Sequence, residues 1–283
     1  MIDHLPSSYG YSVYHLIQKL LQSNKLENKV PANLATFGKV KSLLMKVNHE
    51  IENKNILEIG SGWMPLIPFF FKYIGKCNDL FTYDLNEHYD KSNVTKVIQY
   101  FNKNYGLKIS DQHNNKYNLP DWLVYKPKEN VIDAELPDKI DFIFSRFVLE
   151  HVPPEQIFFM HKKFKETYDT NTLIVHMISP SDHRSYVDGS ISLVDFLQFS
   201  QDEWDNRQTK FDYHNRLRLP QYLEIFKKLD FEILHVESQS IKKDSKEYEK
   251  FRKLKIHNDF SGYSEEELTA GGINIIMRRK DSQ

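Results

Sequence analysis

The sequence predicts an α/β protein: a mostly parallel sheet with helices on both faces. Three observations carry this. Short apolar runs near 55–60, 79–85, 130–134, 141–147 and 172–178 read as buried strands. Helical patterns near 64–74, 91–104 and 154–168 alternate with them, which is the signature of β-α-β units and a parallel sheet. Composition agrees, because 283 residues with 40% hydrophobic and 13% aromatic content can bury a large core.

The first 54 residues precede the first core strand and show helical periodicity. Val13, Leu16, Ile17, Leu20 and Leu21 form one stripe, and Leu34, Phe37, Val40, Leu44, Val47 and Ile51 form another. Pro31 reads as a break between two helices, with Asn33 capping the second. The expected organisation is a helical extension over 1–54, serving as lid or dimer interface, and an α/β domain over 55–283. A homodimer is a possible assembly.

The first strand runs into Asn55-Ile-Leu-Glu-Ile-Gly-Ser-Gly-Trp-Met64, a strand that breaks into a glycine turn and opens a helix. Gly60 and Gly62 allow a sharp turn and close approach of a ligand to the backbone. The phosphate-binding patterns are not met: no third glycine completes G-x-G-x-x-G, and no Gly-Lys follows as in a P-loop. Glu58, inside the strand, is poorly placed for a phosphate and suited to an ammonium, to which a carboxylate gives charge-assisted hydrogen bonds. One helix later, Asp79-Leu-Phe-Thr-Tyr-Asp-Leu85 ends in Asp84, where a carboxylate can hold both hydroxyls of a ribose. NAD-dependent oxidoreductases share that last feature, but the missing glycine and Glu58 disfavour them.

The string Glu58-x-Gly60-x-Gly62 resembles motif I of the class I S-adenosylmethionine (SAM) dependent methyltransferases. Asp141-x-Ile-x-Ser145 followed by Leu149-Glu-His-Val152 is similar to that family's fourth-strand motif. The resemblance implies a Rossmann-like, seven-stranded, mostly parallel sheet ending in an antiparallel strand pair, for which Phe231–Glu237 and Ile273–Arg279 alternate suitably. It also implies SAM as cofactor, with Asp133 near the adenine amino group. The cofactor residues expected from it are Glu58, Gly60, Gly62, Trp63, Asp84, Leu85, Asp133, Ala134, Ser145 and Arg146.

Two segments look like insertions, about 105–129, which is polar and irregular, and about 180–218. The second leaves the fifth strand, and ligands of open α/β sheets bind outside the carboxyl ends of strands. It is dense in polar chemistry: His176-Met-Ile-Ser-Pro-Ser-Asp-His-Arg-Ser-Tyr-Val-Asp188, then Phe211-Asp-Tyr-His-Asn-Arg-Leu-Arg-Leu-Pro220. Methyl transfer to a hydroxyl needs a positioned nucleophile and a base, and His titrates near working pH. His183 beside Asp182 is the first candidate base, then His176, then His214. His151, within the Leu-Glu-His-Val string, reads as structural. Arg184, Tyr186, His214, Asn215 and Arg216 are the expected acceptor-binding set, with arginine forks suited to phosphate or carboxylate. Asp182, His183, Asp188 and His214 also admit a metal reading, but their spacing matches no known ligand pattern and no metal is expected.

The pairing of Glu58-Ile-Gly-Ser-Gly-Trp-x-Pro65 with His176-x-Ile-Ser-Pro-Ser-Asp-His183 and His214-Asn-Arg-Leu-Arg218 resembles a bacterial subgroup linked to surface-glycan or small-metabolite methylation. The acceptor is then a small polar molecule, most naturally a sugar or nucleotide-sugar hydroxyl. An N-methyltransferase and a non-catalytic SAM-binding partner subunit are the alternatives. A formal net charge of −1 argues against a nucleic-acid partner. The single cysteine, Cys77, excludes an internal disulfide. With no leader-like amino terminus and no apolar run near the roughly 20 residues that span a bilayer, a cytoplasmic protein without an integral membrane segment is expected.

Overall fold

The computed structural model describes residues 26–208 and 213–280. Seven strands form one sheet, with strand order β3-β2-β1-β4-β5-β7-β6 and β7 antiparallel. The helical stripe over Val13–Leu21 and the residue Phe211 lie outside the described residues. No described helix is long and apolar enough to cross a membrane.

The chain divides into two compact units. The first comprises residues 26–145, 163–175 and 276–280. It opens with α1 (Leu26–Met45), which carries Pro31 inside it. Pro31 therefore does not divide two helices, and Asn33 is not a cap: its side-chain amide donates to the Lys29 carbonyl four residues back. Only the one backbone bond that Pro31 cannot donate is lost, and burial of Val30, Phe37, Val40, Leu43 and Leu44 compensates. Phe37 meets the rings of Phe70 and Phe71 at 6.0 and 6.1 Å.

β1 (Ile56–Ile59) is fully buried and runs through the glycine turn into α2 (Leu66–Tyr73). β2 (Leu80–Asp84) is followed by α3 (Lys91–Tyr105), which Asp90 caps by accepting from the Asn93 amide at 2.8 Å. Gly106, at φ 65°, ends it in the left-handed conformation. Phe69 fills the space between α2 and α3, with Phe101, Tyr73 and Trp122 at ring distances of 5.4, 5.6 and 5.3 Å.

The third strand is not at 130–134. β3 is Leu123–Pro127, paired in parallel with β2 from Leu80↔Leu123 to Asp84↔Pro127, inside the segment expected to be an irregular insertion. Residues 130–134 instead form a turn: the Asn130 side chain accepts from the Ile132 amide at 3.1 Å, and its carbonyl accepts from Asp133 and Ala134. β3 is an edge strand, which tolerates the proline that hid it from a pattern reading. β4 (Phe142–Arg146) pairs with β1 on the opposite side from β2, in register Ile59↔Ser145. The chain order thus reverses between β1 and β4, the switch point at which open α/β sheets bind ligands.

The second unit comprises residues 146–162, 176–208 and 213–275. The 3-10 turn Leu149–His151 leads to α4 (Pro154–Thr167), and β5 (Leu173–Ile178) is buried throughout. α5 (Arg184–Val187), α6 (Gln201–Asp205), α7 (Leu219–Lys228), β6 (Phe231–Ser240), α8 (Lys246–Phe251), α9 (Glu265–Leu268) and β7 (Ala270–Arg279) follow. The 180–218 insertion and the charged stretch between β6 and β7 share a second core of Val194, Phe196, Leu197, Trp204, Phe251, Phe260 and Leu268. Charge had masked this core in the sequence, since its apolar residues are spaced too widely for a helical or strand period.

Phe69→Ala should remove a buried ring from the α2–α3 contact and cost about 3–5 kcal/mol. Urea unfolding of the full chain measures it, and a loss below about 1 kcal/mol would contradict this packing.

Candidate functional site

The glycine turn is built by Asp84. Its Oδ2 accepts from the Ser61 amide at 2.8 Å and the Ser61 hydroxyl at 2.9 Å, while Oδ1 accepts from the Asn86 amide at 2.8 Å. Tyr89, buried and set against Tyr125 at 4.2 Å, donates its hydroxyl to the Ser61 carbonyl at 3.2 Å. These bonds fix the turn, in which Gly60 and Gly62 sit at φ 84° and 60°. A Cβ added at Gly62 would meet nothing within 4 Å, so the turn presents an open, side-chain-free face.

Three of the roughly four acceptor positions on the Asp84 carboxylate are thereby used. A ribose held by both its hydroxyls would compete with the Ser61 hydroxyl for Oδ2. His88 Nε2 lies 3.7 Å from Oδ1, and its ring meets Trp63 at 4.5 Å. Leu85 is largely exposed next to Asp84, an apolar surface at the carboxyl end of β2. Asp133 is exposed and Ala134 half-buried in the 130–134 turn, while Ser145 is fully buried at the end of β4.

Glu58 is buried and accepts from the Thr82 hydroxyl at 2.7 Å. Burial pushes its carboxyl up to about 8, against the Thr82 bond, with the Asp84 charge adding to the rise. The group is thus a neutral acid at neutral pH until a cation pairs with it, which refines the expected fixed anion.

In the second unit, the residues after β4 are held by Asn215. Its amide donates to the Leu149 and Val152 carbonyls at 2.6 and 2.8 Å, its backbone N–H to the Glu150 carbonyl at 2.8 Å, and its Oδ1 accepts from Tyr222 at 3.0 Å. Asn215 is a buried clasp for the 149–152 turn, and its polar atoms are spent on that rather than on an acceptor. Phe147, just before this turn, takes φ 57°, a left-handed conformation costly for an aromatic residue, and its ring lies 43% exposed beneath the Arg146 guanidinium at 4.2 Å.

The arginines do not form an anion clamp. Arg184 forks onto Asp182, with Nε to Oδ1 at 3.0 Å and a terminal nitrogen to Oδ2 at 2.6 Å, and also reaches Asp195. Arg216 donates to the Phe196 and Phe199 carbonyls and to Gln201, and lies over Phe260 at 4.9 Å. Arg218, fully buried, donates to the carbonyls of Pro180, Arg216 and Leu268. The physical reason is the second core: buried loop carbonyls need donors, and guanidinium supplies several from one side chain.

Asp182 spends both carboxylate oxygens on Arg184. His176 is fully buried in β5; its Nε2 faces His161 Nε2 at 2.8 Å, and His161 Nδ1–H donates to the Ile157 carbonyl at 2.6 Å. Burial lowers both residues, His161 to about 4, so they are neutral packing partners, and His176 is not placed as a general base. Asp188 is exposed and bonds Ser190, so the carboxylates of the possible metal set are not gathered.

What the fold gathers is three histidines. His183 and His214 rings lie 3.8 Å apart, and His151 lies 4.5 Å from His214 and 5.1 Å from His183. The exposed Tyr186 ring is 5.0 Å from His183. His214 is buried, and burial with its two histidine neighbours lowers it to about 2, so it stays neutral. His151, which reads as structural in the sequence, faces a residue more than sixty positions later, a partner that its place in a turn motif does not signal. Glu150, beside it, was also missed: its Oε1 accepts from the Ser179 amide at 3.2 Å, Oε2 has no hydrogen bond, and burial pushes the carboxyl up to about 8.

No protein-family profile and no curated protein matches this chain. Solved structures do resemble it. A magnesium protoporphyrin IX methyltransferase from Synechocystis PCC 6803 with bound SAH is 12% identical, with 92% of this chain and 89% of that chain covered and a TM-score of 0.49. A SAM-dependent methyltransferase from Methanosarcina mazei is 15% identical, covering 82% and 94%, at 0.47. One from Mesorhizobium loti is 13% identical, covering 84% and 96%, at 0.45. TM-scores below 0.5 leave the chemistry to the site itself.

Asn215→Leu should strip the Val152 carbonyl of its side-chain donor and the Tyr222 hydroxyl of its acceptor, and leave the Leu149 carbonyl with only the Val152 N–H, at about 1–3 kcal/mol. A drop in unfolding free energy of that order is expected by urea titration, and a wild-type value would refute the clasp.

Proposed function

We propose that this chain binds SAM at the 58–62 turn and transfers its methyl group to a small polar acceptor, most naturally the hydroxyl of a sugar or nucleotide sugar. The observation that carries the reading is the pairing of an open glycine turn with two carboxyl groups, Glu58 and Asp84, at the carboxyl ends of parallel strands β1 and β2. When bound, SAM supplies an electrophilic methyl carbon on a sulfonium.

Glu58 receives the amino-acid ammonium, directly or through water, and ionises as it does so. Gly60 and Gly62 let the backbone approach without a Cβ. Asp84 gives its remaining acceptor position on Oδ1 to the ribose and holds Ser61 in place. Trp63, Leu85, Asp133, Ala134, Ser145 and Arg146 complete the cofactor set. His183, half-buried and flanked by the exposed Tyr186, is the residue to take a hydroxyl proton. An acceptor recognised by neutral hydrogen bonds fits this surface better than a phosphate or carboxylate, because the three arginines are engaged internally. SAM binding at this turn by a chain that does not itself catalyse transfer is separated by product analysis with sugars and amines as acceptors.

Asp84→Ala should weaken SAM binding by about 100-fold or more in calorimetry, because it removes a ligand group and the anchor of the turn together; unchanged affinity would refute the assignment. The ammonium pairs with ionised Glu58, whereas free Glu58 stays protonated below about pH 8. Binding therefore releases a proton, and affinity should rise with pH between 6 and 8, by up to about tenfold per unit. Glu58→Gln should flatten that profile, and a wild-type chain with a flat profile would overturn the role.

A further inference from the structure

We propose that His151, His183 and His214 bind a divalent transition-metal ion of the zinc class. Each offers one ring nitrogen, and these nitrogens all lie within 4.8 Å of one another. Three nitrogens around a tetrahedral ion stand about 3.3 Å apart, given metal–nitrogen bonds of about 2.0–2.1 Å. Small side-chain rotations therefore close the set.

Two of the ligands are prepared for this by their surroundings. His151 Nδ1 lies 3.0 Å from the Tyr213 carbonyl. A carbonyl only accepts, so Nδ1 carries the proton and Nε2 presents its lone pair, the arrangement that metal-binding histidines take from an outer carbonyl. His214 Nε2 is buried and has no hydrogen-bond partner. Such an orphan nitrogen costs about 1–3 kcal/mol unless something fills its position. The His214 main chain is fixed on both sides, its N–H donating to Gln208 Oε1 and its carbonyl accepting from Trp204 Nε1 at 2.9 Å. The next residue, Asn215, ties the same strand of chain to the 149–152 turn, so His151 and His214 are set against each other before any ion arrives.

The donor set selects the ion. Three neutral imidazoles suit zinc, iron, cobalt, nickel or copper, whereas magnesium and calcium take oxygen ligands. Three protein ligands leave one position open, as in catalytic sites, and an acceptor hydroxyl or a water fits there. This changes the acceptor-side role of His183 from base to ligand: with its nitrogen on the ion, the ion would make a bound hydroxyl lose its proton to solvent more readily than a free one does. Metal binding itself does not depend on the methyl-transfer reading.

The full chain, dialysed against chelator and titrated with Co2+ as a spectroscopic probe, tests it. One Co2+ per chain, visible d–d bands of a nitrogen-rich low-symmetry site and displacement by Zn2+ are expected. His183→Ala, on a half-buried side chain, and His214→Gln, which preserves bulk and polarity, should each weaken binding by about 100-fold. His113→Ala, an exposed-loop control, should bind as the wild type does. Circular dichroism confirms that each variant is folded. Absence of stoichiometric Co2+ uptake by the wild-type chain, or undiminished uptake by folded His183→Ala and His214→Gln, would overturn the proposal. SAM calorimetry on the same chelated protein reports separately on the turn, so loss of one site is not confused with loss of the other.

Discussion

The bond between Asp84 and Ser61 is the constraint on which the sheet's ligand edge depends. A turn with two positive-φ glycines has many conformations open to it, and its entropy cost must be met by something specific. Asp84 meets it with two hydrogen bonds to one residue, and Tyr89 adds a third from the other side. The carboxylate proposed to hold a ligand is therefore also the one that shapes the turn. This dual use explains why the acid belongs at the end of β2: parallel pairing sets Ile59 beside Tyr83, so the residue after each meets its neighbour at the strand ends.

The same economy governs the second unit, with donors and acceptors exchanged. A long insertion carries backbone carbonyls into a core that water does not reach, and each must find a donor. Arg216 and Arg218 supply them, with aromatic faces of Trp204, Phe260 and Phe196 accommodating the charge. Burial lowers Arg218 only to about 10, so it remains charged at neutral pH. Residues that look like anion receptors in a sequence are here the mortar of a loop.

The limits of legibility follow from this. The alternation of strands and helices and the glycine turn are readable because each is local: a period, a spacing, a residue type at a strand end. β3 was missed because an edge strand with Pro127 carries a weak pattern, while Val131-Ile132 imitated one. The unbroken helix at Pro31 was missed because one lost backbone bond is outweighed by a buried face that only tertiary packing provides. The partners of Asp182, His176, Arg216 and Asn215 were unreadable for a related reason. A polar side chain in a loop advertises its chemistry, but whether that chemistry points outward or closes a carbonyl is decided by residues tens of positions away.

Charge balance connects the two carboxyl groups that burial has neutralised. Glu58, inside β1, and Glu150, in the turn after β4, both rise to about 8, with burial the largest cause in each. A buried carboxylic acid with an unused acceptor stores a negative charge that appears only when a cation arrives to stabilise it. At Glu58 the cation proposed above is an ammonium. Burial first, then the neighbouring His183 and His151 and the buried Arg218, keep His214 neutral, and the Arg218 charge opposes a dication. Glu150, adjacent in sequence to His151, holds a carboxyl that burial keeps protonated and whose Oε2 has no hydrogen bond. A His214 ring that burial keeps neutral fits the proposed uptake of a dication, since that ring carries no standing buried charge when the ion is away.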